Sequence, residues 1–110
     1  MRQFDIFYWK PPDWKDPHPA VVVSHPDRAG RKPDMEVVLC STQRAQRKTE
    51  VHEIILDEAD GLDWPTICKC DLICAAARTE LTQQKGHVTD TRQGPSVRTM
   101  IAAHGWAAVL

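Results

Sequence analysis

Apolar and β-favouring residues come in short blocks along most of this chain, separated by proline, glycine and charge. Phe4-Asp5-Ile6-Phe7-Tyr8-Trp9 is aromatic and β-branched and predicts a first strand. Lys10 to Pro19 carries Pro11, Pro12, Pro17 and Pro19, so a loop is expected there. Ala20-Val21-Val22-Val23-Ser24 is a continuous apolar run of strand length, predicting a strand covered on both faces. His25 to Asp34 is punctuated by Pro26, Gly30 and Pro33 and reads as a second loop. Met35–Ser41, Val51–Leu56 and Thr66–Ala75 predict further strands, with an acidic turn at Asp57–Gly61 and a short sixth strand at Gly86–Thr89. The period then changes. Val97, Met100, Ile101 and His104 recur at helical spacing, with Gly94-Pro95 as the predicted start and Gly105 as the stop. The fold class expected is mainly β: a small barrel or strongly bent sheet with a C-terminal helix.

Alternation within the fifth strand carries a more specific expectation. Lys69 and Asp71 fall on one face, and Cys68, Cys70 and Leu72 fall on the other, toward the core. Cys74 shares the parity of Cys68 and Cys70, and all three read as small apolar core residues. Their C-x-C-x₃-C spacing does not match the C-x₂-C pairing of zinc sites, so no metal site is expected.

The 110 residues fit one domain spanning residues 1–110. Fourteen basic against fifteen acidic residues give a net charge of -1, which excludes a strongly basic nucleic-acid binder but not local positive patches. No apolar run approaches membrane-spanning length, and Met1 to Asp5 lacks a secretory pattern. A cytoplasmic protein with its four cysteines as thiols is expected.

Several polar groups sit at strand ends, where they suit a phosphate. His18 carries an imidazole that fits an acid or base; the plainer reading is a solvated histidine ahead of a strand. Ser24 ends the second apolar run. Ser41 offers a hydroxyl and the backbone N–H groups after it, or else bonds its own turn. Thr42 and Gln43 are adjacent positioning donors. Lys69 and Asp71 either border a groove together or form an exposed ion pair. Arg28, Arg31 and Lys32 in one loop, and Arg44, Arg47 and Lys48 in another, leave both locally positive, able to follow a phosphate backbone or simply solvated. Trp14 suits stacking on an unpaired base or packing over the barrel mouth.

The order of these pieces resembles the MazF/PemK/Kid family of toxin ribonucleases from type II toxin–antitoxin systems. The resemblance rests on Asp5-Ile6, Pro19-Ala20-Val21-Val22-Val23-Ser24, Cys40-Ser41-Thr42-Gln43, Gly61-Leu62, Lys69-Cys70-Asp71, Leu81, Gly86 and a terminal helix, and covers nearly the whole chain. It implies an SH3-like barrel, a homodimer, and cleavage of single-stranded RNA without metal or cofactor. It also implies a cognate antitoxin that blocks the groove. It assigns catalytic roles to His18, Ser41, Lys69 and Asp71, and substrate contacts to the strand-end and loop groups above. The sequence departs from the family with His18 where arginine is usual, Ser41 where threonine is usual, and Phe4 where glycine is usual. The first departure leaves open a non-catalytic relative that binds RNA or a protein partner. A gyrase-directed toxin of the CcdB type and an SH3-like module that recognises a peptide are two further readings of a small barrel.

Overall fold

The apolar blocks pair edge to edge in one antiparallel sheet. A computed structural model describes residues 1–42 and 48–110. Among them are the strands β1 (Asp5–Trp9), β2 (His18–Val22), β3 (Asp34–Thr42), β4 (Glu53–Leu56), β5 (Thr66–Ala77) and β6 (Leu81–His87), in the order β4-β5-β3-β2-β1-β6. Helix α1 (Pro26–Arg31) joins β2 to β3, and helix α2 (Asp90–Ala103) follows β6. None of the described helices is long and apolar enough to cross a membrane.

Strand alternation sends apolar side chains to both faces, so the sheet carries two cores. One gathers Ile6, Val21, Val38, Cys40, Leu56, Cys68, Cys70 and Val88, with Met100 of α2 packed against it. The other gathers Trp9, Ala20, Val22, Met35, Val37, Ala76 and Leu81, with Ala29 of α1 and Trp14 of the first loop. Covering on both faces explains why the Val21–Val22 run lacks polar alternation.

The sheet is not closed into a barrel, because β4 and β6 share no ladder. Its edges still approach. A 3₁₀ turn at Glu58–Asp60 follows β4, and its end sits against Lys85 and Gly86 of β6. A Cβ on Gly86 would lie 1.8 Å from the Asp60 carbonyl oxygen, so only glycine lets the two backbones meet. Gly86→Ala is expected to destabilise the protein by about 1–3 kcal/mol or more, read as a lower urea midpoint. An unchanged midpoint would show that this contact does not hold the curl.

The acidic turn expected at Asp57–Gly61 is tied into the fold by its carboxylates. Asp60 is buried and accepts N–H bonds from Asp57 (3.0 Å) and Thr89 (2.9 Å). Arg92 of α2 bonds the Asp60 carboxylate and takes both oxygens of Asp57, at 2.8 and 3.1 Å. The guanidinium holds the Asp57 carboxyl below its ordinary range. This cluster fastens α2 to the end of the curl.

Three other boundaries differ from expectation. The second loop contains α1, which opens on Pro26 and whose last carbonyls accept from Arg78 Nη2, at 3.2 Å (Arg28 O) and 2.8 Å (Ala29 O). The sixth strand spans Leu81–His87, earlier than predicted. Helix α2 starts at Asp90, four residues before Gly94, and carries Pro95 in its interior. Pro95 and Thr91 are both exposed, so the carbonyl that loses its helical donor lies near solvent.

Candidate active site

The first loop closes onto the sheet through aromatic contacts. Trp14 packs at 5.1 Å from Trp9, and the His18 ring meets Trp14 edge-on at 5.2 Å. Trp14 thus packs over the sheet, while His18 stays exposed at the start of β2. Ala20 pairs with Leu39, and continuing that register by two residues brings His18 level with Ser41. Neighbouring strands lie about 5 Å apart, so the imidazole and the hydroxyl belong to one stretch of surface. Alternation puts both on the face of Ala20 and Leu39.

Ser41 is in turn paired with Ile67 of β5, and Lys69 lies two residues further along that strand. Lys69 shares a face with Ile67 and is therefore the diagonal neighbour of Ser41, about 7–8 Å away by sheet geometry. Its Cα partner on β4 is Glu53. His18, Ser41 and Lys69 thus line up across three adjacent strands at one end of the sheet. Thr42 points the other way. It lines a groove of about 550 Å³ with Tyr8, Pro17, Pro19 and Trp64, at the open mouth of the curl.

Asp71 does not join Lys69 as alternation alone predicts. The β3–β5 ladder jumps from Cys40–Cys68 to Val38–Ile73, leaving a bulge in β5 between those pairs. The bulge breaks the parity after Cys70: Leu72 is exposed instead of entering the core, and Cys74 packs on the opposite core from Cys68 and Cys70. The Asp71 carboxylate lies 3.6 Å from Nε2 of His52, which is also 3.4 Å from Glu50. The backbone pins this histidine, since Cys70 N–H donates to the His52 carbonyl at 3.1 Å. Sequence reading missed His52, because an isolated histidine before a strand gives no local signal and its carboxylate partner is brought in by the bulge.

The remaining candidates lie elsewhere. Ser24 is buried beyond the far end of β2, six residues and about 20 Å from His18. Its hydroxyl bonds the Glu36 carboxylate and accepts the Glu36 N–H at 2.8 Å, and the first of these bonds holds the Glu36 carboxyl below its ordinary range. Arg28 and Arg31 sit on α1 at that same far end, and Arg28 pairs with Asp34 at 2.7 Å. Gln43, Arg44 and Arg47 lie outside the described residues.

No protein-family model matches the sequence, and a search of curated proteins finds no significant match. Solved structures do match. The Mycobacterium tuberculosis toxin MazF-mt6 superposes with a TM-score of 0.78 at 15% identity, covering 92% of this chain and 96% of that one. An endoribonuclease in complex with its cognate antitoxin, from a mycobacterial species, gives 0.79 at 19% identity over 96% and 95%. A MazE–MazF structure from Deinococcus radiodurans gives 0.74 at 16% identity over 96% and 95%. Likeness this complete at identities this low speaks to architecture: the fold of this chain is that of the MazF toxins.

Proposed function

We propose that this chain is the toxin of a type II toxin–antitoxin pair and cleaves single-stranded RNA without a metal ion. The observation that carries the reading is the line of His18, Ser41 and Lys69 across adjacent strands of a MazF-type fold. Cleavage by transesterification needs a base, a stabilised phosphorane and a protonated leaving group. His18 takes the proton from the 2′-hydroxyl as the 2′-oxygen bonds to phosphorus. The Ser41 hydroxyl and the Lys69 ammonium face the charge that builds on the phosphoryl oxygens. Lys69 gives a proton to the 5′-oxygen as its bond to phosphorus breaks. The products are a 2′,3′-cyclic phosphate and a 5′-hydroxyl.

A cognate antitoxin and a homodimer belong to the same proposal. Two of the similar structures hold a MazF-type chain with its antitoxin. Val97, Ile101 and Trp106 line an apolar groove with Val23 and Ile73, a face suited to a second copy.

The test is incubation of the purified protein with a long single-stranded RNA in EDTA, followed by mapping of the new ends. Cleavage at a short recurring sequence, with 5′-hydroxyl termini, is expected. Intact RNA with a folded protein defeats the reading. RNA bound and left whole would instead favour the non-cleaving relative, which the capture of Asp71 by His52 supports.

A further inference from the structure

We infer that Cys40 and Cys68 are a modification site: a dithiol that a small-molecule disulfide, oxidised glutathione, converts into a covalent bond across β3 and β5. The inference is independent of the ribonuclease proposal, since it concerns two core side chains outside the chemistry assigned to His18, Ser41 and Lys69. All four cysteines are free thiols in the structure. Cys40 and Cys68 lie far apart in the sequence, and only the ladder brings them together.

Register selects the pair. Cys40 and Cys68 are direct Cα partners in the β3–β5 ladder, and both side chains enter the same core. Directly opposed residues on antiparallel strands have Cα atoms about 4.5–5.5 Å apart, inside the range of about 4.4–6.8 Å that a disulfide spans. The Cys68 thiol is already hydrogen-bonded to Cys40. The other thiols are placed less well. Cys70 stands two residues along β5 from Cys68, about 6.5 Å away by strand rise, with its Cβ parallel to that of Cys68 rather than aimed at it. It has no Cα partner on β3, because the ladder breaks between Cys40–Cys68 and Val38–Ile73. Cys74 pairs with Val37 and packs on the other core.

The core fixes how the bond forms. Cys40 and Cys68 are 1% and 4% exposed, so the oxidant reaches them only when β3 and β5 part locally. One thiolate then attacks a sulfur of the glutathione disulfide, and one glutathione leaves as its thiolate. The sheet cannot close over the remaining adduct, since a tripeptide has no room in a packed interior. The facing thiolate attacks the protein sulfur of that adduct, and the second glutathione leaves. Both cysteines are now oxidised, the glutathione disulfide is reduced to two thiols, and the two protons from the cysteines end on them. The bonded sulfurs sit closer than two thiols in contact, so the sheet closes with the core intact. The bond ties β3 to β5 one residue before Ser41 and one residue before Lys69.

In the test, the purified protein is incubated with oxidised glutathione in urea below its unfolding transition. Oxidant and urea are then removed, remaining thiols are blocked in denaturant, and disulfides are mapped by mass spectrometry. A peptide carrying Cys40 linked to one carrying Cys68 is expected, in wild type and in Cys70→Ala alike. The cross-linked protein should unfold at a higher urea concentration, because its unfolded chain is held in a ring. Dithiothreitol should return the midpoint to its starting value. Cys40→Ala should show neither the linked peptide nor the rise, and the wild-type map decides the matter if that variant does not fold. Free thiols at both Cys40 and Cys68 after the incubation overturn the inference. So do glutathione adducts that persist on either residue once the urea is gone, or a Cys68–Cys70 bond in place of the cross-strand one.

Discussion

Replacing His18 with alanine is expected to slow RNA cleavage by about 10²–10⁴-fold, the usual contribution of a positioned acid or base. The side chain is exposed and touches the rest of the protein mainly through the edge of Trp14, so the substitution removes an imidazole without opening a core. Single-turnover rates on a short RNA, with the urea midpoint as control, separate chemistry from folding. Ser41→Ala should fall in the same direction by a smaller factor, since a hydroxyl donor is lost and the base stays. A His18→Ala protein that cuts at the wild-type rate would remove His18 from the mechanism. It would then move attention to His52, the imidazole held between Glu50 and Asp71.

Arg92→Ala is expected to cost about 3–5 kcal/mol of folding stability, because it strands the buried carboxylate of Asp60 without its countercharge. Two backbone N–H bonds to Asp60 remain, but they do not neutralise it. Adding Asp60→Asn to Arg92→Ala should recover part of the loss, since the amide oxygen keeps one backbone bond and no charge is buried. Urea denaturation of the three proteins reads both effects. A single variant as stable as wild type would show that α2 is held by Met100 and its apolar neighbours alone. The same cluster gives a pH signature. The Asp57 carboxyl is depressed in the folded state, so its contribution is present above the ordinary carboxylate range and fades as pH falls through the folded value. Wild type should therefore lose more stability on acidification than Arg92→Ala does.

The parts of this molecule legible in the sequence are those set by local pattern. The aromatic run of β1, the apolar run of β2 and the β-branched β3 each announce themselves through composition alone. The helix face of Met100 and Ile101 follows from spacing, whereas the helix start does not. Pro95 is a valid first residue by conformation, but the helix runs four residues further back, where Thr89 N–H bonds Asp60 and Arg92 is anchored to Asp57 and Asp60. The site divides along the same line. His18 and Ser41 fall level when the β2–β3 register is carried two residues past Ala20–Leu39, a cross-strand relation that no single segment of sequence displays. Lys69 and Asp71 separate because a bulge resets the parity of β5, and the cause lies in the partner strand rather than in the residues themselves. Ser24 and Arg28 read as phosphate ligands by type, but chain direction carries them to the opposite end of the sheet.

Three of the four thiols, Cys40, Cys68 and Cys70, meet on the inner face of the curl, where all are buried. Hydrogen bonding from Cys40, together with burial, pushes the Cys68 thiol well up, and contact with Cys68 does the same to Cys70. An alkylating reagent in solution therefore has no path to these three sulfurs while the core around them stays closed. The buried sulfurs form a built-in clock: at reagent concentrations where labelling outpaces reclosing, the rate at which they take up label is the rate at which this small interior breathes open.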